Sequence, residues 1–451
     1  MNPQIFREYD VRGRVDEDLT PEVVESLGRG YAVMMIKEKG ISNPKIALGR
    51  DCRLSSDRLR DNLVKGLTES GCHVIDIGVC PTPMLYFALF NLDVDGGLMI
   101  TGSHNPPEFN GFKICVGKET IYGPLIQHLR EIIEEGDFVK GNGDVEVTSI
   151  TERYTTYLKE NIKLARPVKV ILDAGNGTGG VIAAPVMEAL GCEVTCLFCD
   201  MDGHFPNHHP DPTIPENMRF LIEKVTGSDA ELGIGYDGDA DRIGVVDDKG
   251  NIIWGDQLMI LFSRAILAEH PGATIVSEVK CSMNLYEDIK KNGGKGIMWK
   301  AGHSLIKKKM REEKALLGGE MSGHIFFADR YFGYDDAIYA SLRLLEMVSK
   351  DTRSVSEMLA DVPKTYSTPE LRVDCPDEKK FDVVNAVKDY FVKNGYRLVD
   401  VDGVRVIFDD GWGLVRPSNT QPVIVLRFEA TTEARLKEIR DLVEGKLKEY
   451  L

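Results

Sequence analysis

Residues 237–242 read Asp-Gly-Asp-Ala-Asp-Arg, directly after the apolar run "ELGIGY". Asp237, Asp239 and Asp241 alternate with small residues, and in an extended segment alternate residues share a face, so the three carboxylates are expected to converge. Left uncompensated, three close carboxylates repel and raise one another's pKa. A hard divalent cation relieves that repulsion, and an all-oxygen ligand set points to Mg²⁺ or a similar ion. Two plainer readings compete, a solvated acidic turn and an EF-hand loop. The EF-hand fails because Arg242 occupies the position that needs glycine, and strand-like runs rather than helices flank the site. Arg242 beside the acids suits a metal site that also receives a phosphate.

Other constellations are ambiguous singly. "TGSHNPPEFNG" places Ser103 before His104, but a hydrolase elbow needs a second glycine where Asn105 stands. In an extended backbone a histidine next in sequence points away from the serine, so a generic turn remains open. Lys113 follows in "FNGFK" and offers a cation to the same loop. "GGEMSGH" sets Glu320, Ser322 and His324 on alternate positions, which suits a polyhydroxylated ligand or a capped turn. "RPSNTQP" gathers Arg416, Ser418, Asn419 and Thr420 between prolines, a phosphate cradle or a rigid surface turn. Lys280, Lys300 and His303 lie in polar loops, where a lysine is by default a solvated surface residue.

Three tempting motifs are set aside. "CEVTCLFC" reads as a strand with buried thiols rather than a cluster site. "GNGTGG" lacks the dinucleotide-loop register and reads as a tight strand-to-helix turn. "HFPNHHP" carries His204, His208 and His209, but its prolines indicate a shaped loop rather than zinc.

The elements that must position these residues recur. A strand, a polar loop and a helix repeat in "KIALGRDCRLSSDRLRDNLVKGLTESG", "KVILDAGNGTGGVIAAPVMEALG" and "ATIVSEVKCSMNLYEDIKKNGG". Each copy leads to a later strand that ends in "TGSHNP", "DGDADR" or "GEMSGH". Such alternation predicts α/β units with largely parallel sheets, whose ligand loops follow the strands' carboxyl ends. The last segment offers a helix, three strand candidates ("YRLVDVD", "VRVIFDD", "VIVLRFEA") and a closing helix, a small α+β domain. The expected domains are 1–150, 151–251, 252–364 and 365–451.

Bulk properties narrow the partners. The chain has 451 residues, and its net charge of −16 argues against nucleic acid or an anionic membrane. Any phosphate site must therefore be locally basic. Nine scattered cysteines fit a reducing compartment. The N-terminal residues carry no apolar signal core and no run approaches a membrane span, so a cytoplasmic protein is expected. The oligomeric state stays unassigned.

In chain order, "FREYDVRG", "TGSHNP", "DGDADR", "GEMSGH" and "RPSNTQP" resemble the α-D-phosphohexomutase superfamily, most closely its bacterial phosphomannomutase/phosphoglucomutase group. The motifs run from Phe6 to Pro422. The resemblance implies three related mixed α/β domains plus a smaller C-terminal α+β domain around a central cleft. It implies a phosphohexomutase that interconverts hexose 1-phosphate and hexose 6-phosphate through phosphorylated Ser103 and a hexose 1,6-bisphosphate. Asp237, Asp239 and Asp241 would hold Mg²⁺ with the serine phosphate, and Arg242, His104 and Lys113 would assist. Glu320 and Ser322 would bind sugar hydroxyls. Arg416, Ser418, Asn419 and Thr420 would grip the idle phosphate, with Tyr9, Arg12, Lys280, His303 and His324 completing the site. The general base stays open among Arg12, Lys113 and His303. Phosphoglucosamine mutases share the architecture but vary the sugar loop at the position of Met321. A magnesium-dependent sugar phosphatase and a non-catalytic sugar-phosphate binding protein are the rivals from other classes.

Overall fold

The three strand–loop–helix copies fold alike. In the computed structural model, which describes residues 1–418 and 421–451, each copy sets its first strand between its second and third, all parallel. The first copy uses Lys45–Arg50, His73–Val79 and Gly96–Ile100. The second uses Lys169–Asp173, Glu193–Leu197 and Leu232–Tyr236. The third uses Thr274–Glu278, Lys295–Trp299 and Leu317–Gly319. Helical crossovers join them, as parallel strands require, so the central strands are buried on both faces. Gly96–Ile100 and Leu232–Tyr236 are buried throughout. The serine loop, the acidic loop and the "GEMSGH" loop each follow the third strand of their copy. They are topological equivalents.

The chain divides into two compact units, Met1–Leu258 with Ser322–Met358, and Met259–Met321 with Leu359–Leu451. In the first unit, Phe109–Val116 returns antiparallel beside Gly96–Ile100 and carries Val11–Arg14 on its other side. Leu27, Tyr31, Leu59 and Leu63 project at helical spacing from Pro21–Val33 and Ser56–Thr68 into one core with Ile46, Leu48, Leu98 and Phe112. Each such side chain stabilises the fold by roughly 1.5–3 kcal/mol.

The second unit ends in an antiparallel sheet whose order is Tyr366–Ser367, Val423–Ala430, Gly411–Pro417, Val404–Phe408 and Arg397–Val399, with Leu371–Asp374 also on Val423–Ala430. Helices Asp377–Lys393 and Glu433–Tyr450 cover one face through Val387, Phe391, Ile439 and Val443. Gly411–Pro417 is a central strand that the sequence reading lacks. Its glycines are poor strand formers, yet a Cβ on Gly411 would stand 2.4 Å from the Glu429 carbonyl oxygen, so the close pairing needs them. The thiol reading needs amendment too. Glu193–Leu197 is an edge strand, Cys196 is exposed, and only Cys192 of "CEVTCLFC" is buried.

Candidate active site

The acidic residues converge, but by a different route from the expected one. Residues 237–242 form a tight turn rather than an extended strand, with Ala240 at φ +55°. Asp237, Asp239 and Asp241 are fully buried, and each offers a carboxylate oxygen within 4.8 Å of the others. The turn rests on "GNGTGG". Thr178 donates its amide (3.0 Å) and hydroxyl (3.2 Å) to the Gly238 carbonyl. A Cβ on Gly177 would come 2.6 Å from the Gly238 carbonyl oxygen, so this approach requires glycine.

The serine loop lies against the same turn. Ser103 is buried, its Oγ donates to Asp237 Oδ2 at 2.8 Å, and the Oγ stands 3.0 Å from His104 Nδ1. The expectation that His104 points away is therefore overturned. It assumed extended backbone, whereas Ser103 sits at φ +47° and turns the two side chains together. Burial first, then the charges of Arg242 and Arg12, holds the His104 pKa well below the ordinary imidazole value, so the ring is neutral.

Electrostatics divide the three acids. Burial, then the charges of Asp239 and Asp241, pushes the Asp237 carboxyl well above the usual range. Burial acts the same way on Asp241, but Lys113, His324 and Arg242 outweigh it and hold that pKa well below. Lys113 Nζ donates to Asp239 Oδ2 at 2.8 Å and also bonds Asp241 Oδ2. Burial lowers the Lys113 pKa, but Asp239, Asp241 and Asp335 raise it further, so the ammonium stays charged. Thr82 Oγ1 also donates to Asp239 Oδ2, at 2.5 Å, while the buried Asp239 Oδ1 has no hydrogen-bond partner. An acceptor so placed among carboxylates, with two other oxygens in reach, fits a divalent cation.

"GEMSGH" is likewise a turn rather than a strand face, because Gly323 takes φ +93°. His324 is buried, with Nε2 3.0 Å from Arg242 Nε and 3.1 Å from Asp241 Oδ1. Ser322 is half-buried in the turn. Arg12 lies opposite Gly111 in the strand pairing just after the serine loop and donates to Asp10 Oδ2 at 2.6 Å. Tyr9 is half-buried two residues before that strand.

The second unit gathers the remaining residues. Glu320 is buried and accepts from the Gly302 amide at 2.6 Å, beside His303, which opens the helix His303–Glu313. Lys280 Nζ lies 3.5 Å from Glu278 Oε2 and 3.2 Å from Glu370 Oε2. Burial raises the Glu370 pKa, but Lys280 and then Arg372 outweigh it and hold it at about 2. Arg416 Nε donates to Asp402 Oδ2 at 3.0 Å. Ser418 Oγ accepts from the Gln421 amide at 3.2 Å, and Lys380 Nζ donates to the Ser418 carbonyl at 2.5 Å. Asn419 and Thr420 lie outside the described residues.

Sequence reasoning missed Arg53, Asp51 and Thr82, and read "HFPNHHP" as a shaped loop without foreseeing what the loop holds. That loop braces the site. His209 Nε2 bonds the His104 carbonyl, Phe205 stacks 5.1 Å from the Arg53 guanidinium, and His208 Nε2 lies 3.0 Å from both Asp173 oxygens. Burial lowers the His208 pKa, but the Asp173 hydrogen bond and charge outweigh it and raise the value above the ordinary 6.5. A raised folded-state pKa gives stability that is full below the unfolded value and lost as pH rises through the folded one. His208→Asn is therefore expected to cost about 1 kcal/mol near pH 5, a charge-assisted bond discounted for partial screening. The cost shrinks toward pH 8 or so. Urea midpoints of both proteins at the two pH values measure this, and an equal cost at both would refute it.

Among the described residues, no helix is long and apolar enough to cross a membrane. Residues 3–140, 152–250 and 254–366 match the family models "Phosphoglucomutase/phosphomannomutase, alpha/beta/alpha domain" I, II and III, and 370–446 match the C-terminal domain model. A phosphomannomutase/phosphoglucomutase of Pseudomonas aeruginosa is 47% identical over 444 residues, 98% of this chain and 95% of the relative. A phosphoglucomutase of Neisseria gonorrhoeae is 46% identical over 442 residues, 97% of this chain and 95% of the relative. The crystal structure of a phosphoglucomutase/phosphomannomutase family protein from Burkholderia thailandensis superposes with TM-score 0.94 at 42% identity, covering 100% of this chain and 98% of that one.

Proposed function

The chain belongs to the phosphoglucomutase/phosphomannomutase family and is an isomerase of hexose phosphates; from that premise we propose that Ser103 is its phosphoryl carrier. The observation that carries the reading is one geometry: Ser103 Oγ lies 2.8 Å from Asp237, within a buried carboxylate set whose Asp239 Oδ1 lacks a hydrogen-bond partner. Asp237, Asp239 and Asp241, with the serine phosphate, would hold Mg²⁺. Bound there, the ion supplies Lewis-acid neutralisation of the transferring phosphoryl group.

The chain's own residues do the rest. The phosphorus–Oγ bond of phosphorylated Ser103 breaks as the free hydroxyl of a hexose 1-phosphate forms a new bond to phosphorus, giving the hexose 1,6-bisphosphate. Net, one proton passes from the sugar hydroxyl to Ser103 Oγ. His104, neutral and 3.0 Å from Oγ, is placed to relay it, Nδ1 giving a proton to Oγ as the other ring nitrogen takes one up. Lys113, held charged by its carboxylates, acts as a counter-cation rather than a base, and Arg242 adds a second positive charge at the acidic turn. The bisphosphate turns over, and its other phosphate returns to Ser103 to release hexose 6-phosphate. A trace of bisphosphate primes the serine.

Glu320 and Ser322 would bind sugar hydroxyls. Arg416 and Ser418, with Asn419 and Thr420, would grip the idle phosphate, and Lys280, His303, His324, Tyr9 and Arg12 would add contacts. We place the domains at 1–150, 151–251, 252–364 and 365–451, with the chain in the cytoplasm. Glucose and mannose phosphates are the proposed substrates, since the sugar loop reads Gly-Glu-Met-Ser-Gly-His without a change at Met321. Two rival readings, a phosphoglucosamine mutase and a sugar phosphatase, are settled by one comparison. Measured with Mg²⁺ and trace bisphosphate, kcat/KM is expected to be highest for glucose and mannose 1-phosphates. A tenfold preference for glucosamine 1-phosphate, or stoichiometric release of free phosphate, would overturn the proposal.

A further inference from the structure

Ser103 holds a backbone conformation, φ +47°, that a non-glycine residue rarely adopts without being constrained. One side chain holds four carbonyls of this loop. Arg53 Nη2 donates to the carbonyls of Ser103 (2.8 Å) and Asn105 (2.5 Å), and Nη1 to those of Pro106 (2.7 Å) and Phe109 (3.0 Å). The Arg53 side chain is 0% exposed, and its charge is balanced by Asp51 Oδ2, 3.2 Å from Nε. That same Asp51 carboxylate accepts from the amides of Gly102 and Arg53 (3.0 Å each) and from Ser56 Oγ (2.6 Å). Both ends of the serine loop therefore hang on one buried ion pair, with the Phe205 ring closing the far side of the guanidinium. Gly102 leaves room for it, because a Cβ there would stand 2.4 Å from Arg53 Cζ and Nε.

We infer that Arg53 is a positioning residue for phosphoryl transfer. Its guanidinium fixes the serine loop in the conformation that aims Oγ at Asp237. Arg53 acts through the Ser103 backbone and needs no contact with the sugar. A planar five-donor fork can serve four carbonyls at once, whereas a lysine ammonium has three donors on a flexible stem. The carbonyls left unserved would let the loop relax toward ordinary backbone geometry. The inference rests on Ser103 being the phosphoryl carrier.

Arg53→Lys keeps the charge and loses the fork. Gly102→Ala keeps both, but its Cβ would meet the guanidinium at 2.4 Å and the Phe109 carbonyl at 2.8 Å, so it parts the fork from one of its acceptors. For each, the experiment compares intact mass after incubation with glucose 1,6-bisphosphate, hydrogen exchange of residues 102–110, and kcat and KM for glucose 1-phosphate per folded molecule. Misplacing a reacting group by an ångström costs about 10²-fold, so kcat is expected to fall by about that factor while KM stays within about threefold. Residues 102–110 should exchange faster and the rest of the chain as in wild type. A merely structural role would lower the folded fraction and leave kcat per folded molecule unchanged, which would overturn the inference, as would equal losses from raised KM alone. If Arg53→Lys fails to fold, Gly102→Ala decides. Failure of the wild-type protein to gain a phosphoryl group at Ser103 would instead sink the functional reading itself.

Discussion

Ser103→Ala is expected to lower kcat for glucose 1-phosphate by at least about 10⁴-fold, the scale on which removing a covalent nucleophile acts. The reason is chemical rather than structural. Without Oγ there is no atom to carry the phosphoryl group between the two ends of the sugar, and the carboxylates and Arg242 have nothing to activate. The fold should survive. Alanine forfeits the bond to Asp237 and the contact with His104, a loss of about 1 kcal/mol each, and retains the strain of φ +47°. That strain supplies an internal control. Ser103→Gly is equally inactive but relieves a left-handed conformation worth about 1–2 kcal/mol, so it should unfold at higher urea than Ser103→Ala. Intact mass after incubation with glucose 1,6-bisphosphate checks the chemistry: the wild type gains a phosphoryl group and neither variant does. A phosphoryl group appearing on Ser103→Ala would move the carrier elsewhere.

What the sequence revealed, and what it hid, follows from the kind of signal each residue leaves. Asp237, Asp239 and Asp241 were legible because carboxylates at alternate positions with small residues between them have few other uses. Their geometry was not legible. Ala240 and Ser103 both take positive φ without being glycine, and no residue type announces that, so the acidic turn was read as an extended segment and the serine motif was left open between a turn and extended backbone. The repeated strand–loop–helix unit was legible from its alternation, and the strand order that the structure adds puts three ligand loops at equivalent places. Arg53 left no trace because it recognises carbonyl oxygens, which every residue has, on a loop 50 positions away. "HFPNHHP" and "GNGTGG", read as a shaped loop and a tight turn, hid their task for a related reason. Their histidines and glycines suggest ligands, yet His209 holds a backbone carbonyl and Gly177 makes room for one. The strand Gly411–Pro417 was hidden by glycines that are there for close pairing.

Asp239→Asn carries the second large effect, and it separates metal binding from folding. Asp239 Oδ2 is occupied by Thr82 at 2.5 Å and Lys113 at 2.8 Å, while Oδ1 is buried without a hydrogen-bond partner. An asparagine can keep its one oxygen on Thr82 and Lys113 only by turning its amide group to the Oδ1 position. A donor would then face the space between the carboxylates where a cation fits, and one ligand charge is lost. Turnover at saturating Mg²⁺ is expected to fall by at least about 10²-fold, the cost of removing one electrostatic group from a transition state. Stability without metal should behave differently. The Asp237 carboxyl is raised by burial and by its acidic neighbours, so its ionisation opposes folding as pH rises above the unfolded value toward the folded one. Removing the Asp239 charge relieves part of that opposition, and it offsets the weaker pairing of Lys113. In chelator near neutral pH, the variant should therefore melt at or above the wild-type temperature. Mg²⁺ should reverse the order, because a ligand at about 100 times its Kd stabilises the binding protein by about 2.7 kcal/mol. Equal Mg²⁺-induced shifts in the two proteins would place the ion elsewhere, and full activity in chelator would remove it from the reaction.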